Sequence, residues 1–229
     1  MEEWRALVYP LGFLSSLAFG ARFIVQWFES EKKGISIVTQ SFWQLSLAGN
    51  ILLTMHSMIQ GQFHVAIAQT CNSVISWRNL NLMQTKKPPV SLYAVISILI
   101  ACCTFTFLFF VAQHMLSSSE NEIWFRVPLA PWESEKSYNL SFGWHVLGFA
   151  GYLLFSSRFW IQWWFVEKAA KSYLPLSFWW ISLIGAIMSN IYFLYIGDIV
   201  NLIGPLIGLV PYIRNLMLIY KTKRMAQES

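Results

Sequence analysis

The sequence predicts an all-α polytopic membrane protein with seven transmembrane helices, arranged as two parallel three-helix repeats around one extra helix in a 3+1+3 plan. Three observations carry this reading: an extreme composition, seven long apolar runs, and an internal repeat without gaps. Of the 229 residues, 56% are hydrophobic and 12% are charged. The charged share is about half the roughly 25% of soluble domains. Aromatics reach 17%, with twelve Trp and eighteen Phe. A soluble domain of this size cannot hide so much apolar surface. The composition excludes a disordered chain, a disulfide-stapled secreted module and an ordinary soluble enzyme. Cys71, Cys102 and Cys103 show no CxxC spacing and read as inert thiols in apolar segments.

A bilayer-spanning helix needs roughly 20 mostly apolar residues. The expected spans are 7–28, 42–60, 62–83, 90–116, 142–166, 176–196 and 198–220. Tight turns at Gly61 and Gly197 make the second and third, and the sixth and seventh, antiparallel hairpins. The long connection is 117–141; its Trp124, Phe125 and Trp132 suit a loop lying at headgroup depth. The net charge of +5 is read through topology, and no nucleic-acid partner is expected. One side of the membrane carries Arg5, Arg126 and Lys136. The other carries Lys32, Lys33, Lys86, Lys87, Lys168, Lys171, Lys221, Lys223 and Arg224. The Lys/Arg-rich side is cytoplasmic, so the N-terminus is expected to face out and the C-terminus to face the cytoplasm.

Sliding the sequence by 136 positions brings the repeat into register. Arg22-Phe23 falls on Arg158-Phe159, Gln26-Trp27 on Gln162-Trp163, Glu31-Lys32 on Glu167-Lys168, Ser41-Phe42-Trp43 on Ser177-Phe178-Trp179, and Arg78-Asn79-Leu80 on Arg214-Asn215-Leu216. Gly12, Gly49 and Gly61 fall on Gly148, Gly185 and Gly197. Hydrophobic bias does not place Arg, Gln, Glu and Asn in register, so the two copies are a true repeat. The expected organisation is a first three-helix repeat over 1–85, a linking helix over 86–116, an outer interfacial loop over 117–141, and a second repeat with a cytoplasmic tail over 142–229. An offset of four spans makes the repeats parallel, related by an axis along the membrane normal.

This helix plan resembles the sugar-transporter family called SWEETs and the wider PQ-loop group. The motifs themselves are more specific. Arg-Phe-Ile-Val-Gln-Trp from Arg22, Glu31-Lys32, Ser-Phe-Trp-Gln-Leu-Ser-Leu from Ser41 and Arg78-Asn79-Leu80 resemble the lipid A biosynthesis N-terminal domain. The resemblance covers roughly 7–83 and 142–220. It implies a membrane segment of the lipid A pathway, like the region preceding lipid-A-disaccharide synthase in some Gram-negative intracellular bacteria. In that family the catalytic glycosyltransferase is a separate cytosolic domain, and this chain is expected to lack it.

Ionisable groups inside a bilayer are costly, roughly 2.5–3.5 kcal/mol each on insertion scales, and so mark candidate sites. Arg22 and Arg158 sit towards the cytoplasmic ends of spans 1 and 5, with Gln26 and Gln162 one turn on. Arg78-Asn79 and Arg214-Asn215 occupy the cytoplasmic thirds of spans 3 and 7. These eight residues are the expected substrate-binding set. Arginine's planar fork grips phosphate through two hydrogen bonds, which points to a phosphorylated lipid or sugar headgroup. Two plainer roles stay open: snorkelling to bulk phospholipid, and pairing with Glu31 or Glu167. Asn50, Thr54, Gln69, Asn72 and Ser76 form polar stripes that line a cavity or glue helices. Pro205 and Pro211 mark a hinge or a static kink in span 7. His56, His64, His114 and His145 have no ligand spacing, and neither a catalytic pair nor a metal or cofactor site is expected.

The first functional reading is therefore a transporter-like protein of lipid A or envelope glycolipid biosynthesis, whose partner is a membrane lipid or lipid-linked sugar. The alternative is an anchoring module for a cytosolic glycosyltransferase domain. A SWEET-like sugar transporter is the weaker third.

Overall fold

A computed structural model describes residues 10–116, Trp124, 141–196 and 199–228. These form seven helices and no strand. They are α1 (Pro10–Lys33), α2 (Gln40–Gln60), α3 (Phe63–Leu82), α4 (Leu92–Leu116), α5 (Phe142–Ala169), α6 (Leu176–Ile196) and α7 (Ile199–Glu228). The expected 117–141 loop lies outside the described residues except for Trp124 and Ser141, as do the N-terminal residues 1–9 and the Gly197 turn.

Local chemistry explains the boundaries. Helix α1 runs past the apolar 7–28 window to Lys33, and its last-turn Lys32 and Lys33 complement the helix dipole. Gly34 ends it with a positive φ of 66°, its N–H bonded to the Glu31 carbonyl. Gly61, φ 73°, makes the predicted tight turn between α2 and α3. Helix α7 continues through Pro205 and Pro211 and on past Tyr220 into its charged end.

Three helices, α1, α4 and α6, are long and apolar enough to cross a membrane by composition. The other four fall short of the seven expected spans because they carry more polar side chains. Helix α2 alone holds Ser46, Asn50, Thr54, His56 and Ser57. Those side chains turn inward: Ser46, Asn50, His56 and Ser57 are buried. Large apolar residues turn outward instead, among them Phe13, Phe105, Trp164 and Leu194. Polar inside and apolar outside is the distribution a bilayer selects. The chain is a multi-pass membrane protein.

The described helices form two compact units. One joins α1 up to Phe19 with α2 from Trp43, α3 and α4; the other joins α1 from Gly20, the linker through Phe42, α5, α6 and α7. In the first, Phe110, Met58 and Ala66 form a buried cluster against which Phe63, Phe109 and Trp124 pack. The Phe63 N–H donates to the Trp124 carbonyl at 2.9 Å. Thr70 and Thr106 hydroxyls meet at 3.0 Å between α3 and α4, and Cys71 and Cys103 sulfurs lie 3.6 Å apart there as free thiols.

Glycines set the closest helix approaches at repeat-equivalent places. A Cβ on Gly12 would lie 3.0 Å from the His56 ring, and one on Gly148 would lie 2.9 Å from the Tyr192 ring. A Cβ on Gly49 would lie 2.7 Å from the Phe19 ring, and one on Gly185 would lie 3.1 Å from the Phe155 backbone nitrogen. Small residues let membrane helices approach closely. Gly20, by contrast, has nothing within 4 Å. Gly185→Val should therefore cost about 1–3 kcal/mol of stability, while Gly20→Ala should be neutral or gain up to about 1 kcal/mol. Unfolding curves of the two variants in the same detergent check the contrast.

Candidate functional site

Helix α1 turns Arg22, Gln26 and Ser30 onto one buried face at i, i+4 and i+8. Helix α5 repeats the pattern with Arg158, Gln162 and Val166, all buried. Six of the eight predicted residues, Arg22, Gln26, Arg158, Gln162, Arg214 and Asn215, belong to the unit built from α1 after Gly20, α5, α6 and α7. They form three successive groups.

The first group is a pair of arginines among aromatic rings. The Arg22 guanidinium carbon lies 4.8 Å from the Phe23 ring centre, 5.6 Å from Phe42 and 5.3 Å from Phe159. That of Arg158 lies 3.5 Å from Phe155, 5.0 Å from Phe159, 5.7 Å from Phe178 and 5.9 Å from Phe23. Both cations thus share the Phe23 and Phe159 rings. Arg158 Nη1 donates to the Tyr212 hydroxyl at 3.1 Å. Stacking of this kind favours guanidinium over ammonium.

The second group is an amide network. Gln26 Nε2 donates to Asn215 Oδ1 at 2.8 Å, and Asn215 Nδ2 donates back to Gln26 Oε1 at 3.0 Å. Ser36 Oγ donates to Asn215 Oδ1 at 2.6 Å, and Asn215 Nδ2 also donates to the Pro211 carbonyl at 2.8 Å. Gln26 Nε2 further reaches Ser30 Oγ at 2.8 Å and the Ile37 carbonyl at 2.9 Å. Gln162 does the same in its own copy, donating to the Tyr173 carbonyl at 3.1 Å. Each glutamine therefore holds the chain that leaves its helix.

The third group is an ion pair between the last turn of α1 and the middle of α7. Arg214 Nε pairs with Glu31 Oε1, and Arg214 Nη2 donates to Glu31 Oε2 at 2.8 Å, so both oxygens of the carboxylate are gripped. Trp27 Nε1 also donates to Glu31 Oε1 at 3.0 Å, and Trp163 Nε1 donates to Glu167 Oε1 at 2.7 Å in the equivalent place.

Arg78 and Asn79 belong to the other unit. Arg78 Nη1 donates to Asn81 Oδ1 at 3.0 Å and to the Val90 carbonyl at 2.6 Å, while the Val90 N–H donates to Asn81 Oδ1 at 2.9 Å. Arg78 thereby ties the end of α3 to the approach of α4. Asn79 Nδ2 donates to the Ile75 carbonyl at 2.9 Å. Of the predicted stripes, Asn50 Nδ2 bonds Ser76 Oγ across α2 and α3 at 3.1 Å. Thr54 and Ser76 hydroxyls bond their own helices at Asn50 and Asn72, and Asn72 Nδ2 lies 3.4 Å from Gln69 Oε1. Among the described residues no group of three His, Cys, Asp or Glu can hold a metal ion.

Sequence did not mark Tyr212, Ser36 or Trp179 as site residues. Ser36 and Trp179 recur in register at Ser172 and Trp43, a usable signal. Tyr212 falls on Ser76, so the repeat gives no hint of it.

The model of the Lipid A Biosynthesis N-terminal domain family matches the chain twice, over residues 11–81 and 147–217. Lipid-A-disaccharide synthase of Chlamydia pneumoniae is 38% identical over 218 residues, covering 95% of this chain and 34% of that protein. The proteins of the same name from Chlamydia felis and Chlamydia trachomatis serovar D are 37% and 36% identical, covering 96% and 91% of this chain and 34% and 33% of theirs. The chain spans about a third of the length of these curated relatives and corresponds to their N-terminal region. No solved structure matches the chain.

The Arg214–Glu31 pair is only partly shielded, with side chains 39% and 33% exposed. Arg214→Ala and Glu31→Ala should each lower the unfolding temperature, the double variant should fall no further, and added salt should shrink the difference. Thermal unfolding of the four proteins at low and high salt measures this coupling.

Proposed function

The chain belongs to the lipid A biosynthesis N-terminal domain family, and from that premise we propose that it serves envelope glycolipid synthesis by holding a phosphorylated lipid or lipid-linked sugar in the bacterial inner membrane. The observation that carries this reading is the repeated inward arginine: Arg22 and Arg158, equivalent in the two copies, are both buried among rings rather than turned to lipid. A depth anchor snorkels outward, and these do not. The relatives' name supplies the pathway, since their namesake product is the lipid A disaccharide.

All seven helices are proposed as spans. Each has 20 residues or more, enough for the bilayer. In α2, α3, α5 and α7 the polar residues that depress apolarity include Asn50, Arg78, Gln162 and Asn215, all buried. A helix that hides its polar face need not be apolar all round. The Lys/Arg asymmetry supports a periplasmic N-terminus and a cytoplasmic C-terminus.

A second reading, a membrane-anchoring module for the disaccharide synthase, draws support from length: relatives about three times longer carry this region at their N-terminus. The SWEET-like reading has only the helix order behind it.

Lipids co-purifying with the full chain separate the readings. Enrichment of phosphate-bearing glycolipid over bulk membrane lipid is the expected result. Bulk composition, together with capture of a co-expressed disaccharide synthase, would favour the anchor. A tag after Ser229 should be reached by protease in inverted vesicles and spared in spheroplasts; the reverse overturns the topology.

A further inference from the structure

The Gln26–Asn215 and Arg214–Glu31 groups are paired with each other, but Arg158 is not fully paired. Arg158 is 2% exposed and makes one hydrogen bond among the described residues, from Nη1 to Tyr212. Its Nε has no hydrogen-bond partner, and no described carboxylate pairs with it. Phenylalanine faces stabilise the charge of a guanidinium but accept nothing from its in-plane N–H groups. Beside it, Trp179 is 0% exposed, and its Nε1–H also has no partner. The Trp179 and Tyr212 ring centres are 6.2 Å apart, which joins this indole to the same group. Tyr212 accepts from Arg158 through its oxygen, so its own O–H hydrogen is available to donate.

Buried donors in a membrane protein require acceptors. Here the donors are Arg158 Nε, Trp179 Nε1 and the Tyr212 hydroxyl. They stand together with a second guanidinium, Arg22, which shares the Phe23 and Phe159 rings. Donors without acceptors, beside two positive charges, fit an anion with several oxygens. A phosphate monoester supplies several acceptor oxygens and up to two negative charges.

We infer that Arg158, Trp179 and Tyr212, with Arg22 across the shared rings, form a binding site for one phosphate monoester group. This inference rests on the reading that the chain handles a phosphorylated ligand, and it narrows the eight predicted residues to the arginine pair while adding Trp179 and Tyr212. Gln26, Asn215, Arg214 and Glu31 then frame the site without touching the phosphate. The shared chemistry belongs to a phosphorylated lipid headgroup and to a soluble sugar phosphate alike. Because Arg158 and Tyr212 are closed off, occupancy requires an opened form of the site, and binding is measured at equilibrium.

The test uses the full chain in phosphatidylcholine nanodiscs with three probes: phosphatidic acid, diacylglycerol and glucose 1-phosphate. Phosphatidic acid should bind and diacylglycerol should not. Displacement of phosphatidic acid by glucose 1-phosphate identifies a soluble ligand, and failure to displace it identifies a lipid; both support the site. Trp179→Phe and Tyr212→Phe keep their rings and should each weaken binding about tenfold, the usual scale for a hydrogen bond to a charged group. Arg158→Lys should weaken it at least as much because the planar fork is lost. Trp164→Phe, on the exposed surface, should bind like the wild type. Thermal unfolding confirms that each variant is folded. If the wild type binds phosphatidic acid and the three folded variants bind it equally well, the site is wrong while the broader reading stands. If the wild type ignores both phosphate probes, the phosphate assignment falls, and the co-purified lipids then judge the pathway reading separately.

Discussion

Inside a bilayer no water is at hand to satisfy an amide, and the reciprocal Gln26–Asn215 pair meets that constraint where α1 and α7 come together. A single side chain from α1 and a single one from α7 each serve as donor and acceptor to the other. Gln26 also reaches the Ile37 carbonyl, and Asn215 takes the Ser36 hydroxyl. The segment between α1 and α2 is thereby held to α7 by side chains rather than by apolar packing. The Glu31–Arg214 pair reinforces the same connection one helical turn away. With the amides satisfied, the neighbouring Arg158 lies against rings and donates to the Tyr212 hydroxyl.

The repeat is visible in the geometry as well as in the letters. Gln26 and Gln162 each bond a carbonyl eleven residues further on. Trp27 and Trp163 each bond a glutamate one turn on. Gly12 and Gly148 each face a ring, His56 and Tyr192, at matching positions. Tyr192 and Tyr212 replace His56 and Ser76, so the second copy is richer in aromatic hydroxyls. Duplication supplied a common scaffold, and substitution at single positions such as 212 distinguishes the arginine site.

Much of this was legible beforehand. Gln and Asn kept in register across both copies were expected to point inward, because a buried amide needs a partner and cannot snorkel far; of the arginines, Arg22, Arg78 and Arg158 are buried, while Arg214 takes the Glu31 pairing that the sequence had left open. Length and the glycine positions located the helices, although α1 runs five residues and α7 eight residues past their expected ends at 28 and 220. The aromatic enclosure was harder to see: Phe23, Phe42, Phe159 and Phe178 read in sequence as ordinary apolar residues, and only distances reveal them as faces for guanidinium. Tyr212 carried no repeat signal. Nor can a repeat say which helices a segment will join, and α1 after Gly20 groups with α5, α6 and α7. Counting apolar runs also overstated how many helices qualify as spans by composition, since α2, α3, α5 and α7 bury polar faces.

The central claim is that paired buried amides organise this unit. A double-mutant cycle on Gln26→Met and Asn215→Leu, followed by reversible unfolding in detergent, tests it most directly. Each single change removes one partner of a buried amide and should cost about 1–3 kcal/mol. The double variant should cost less than the sum by at least about 1 kcal/mol, because two apolar isosteres leave fewer amide groups unpaired. Strict additivity, with each cost near zero, would contradict the account.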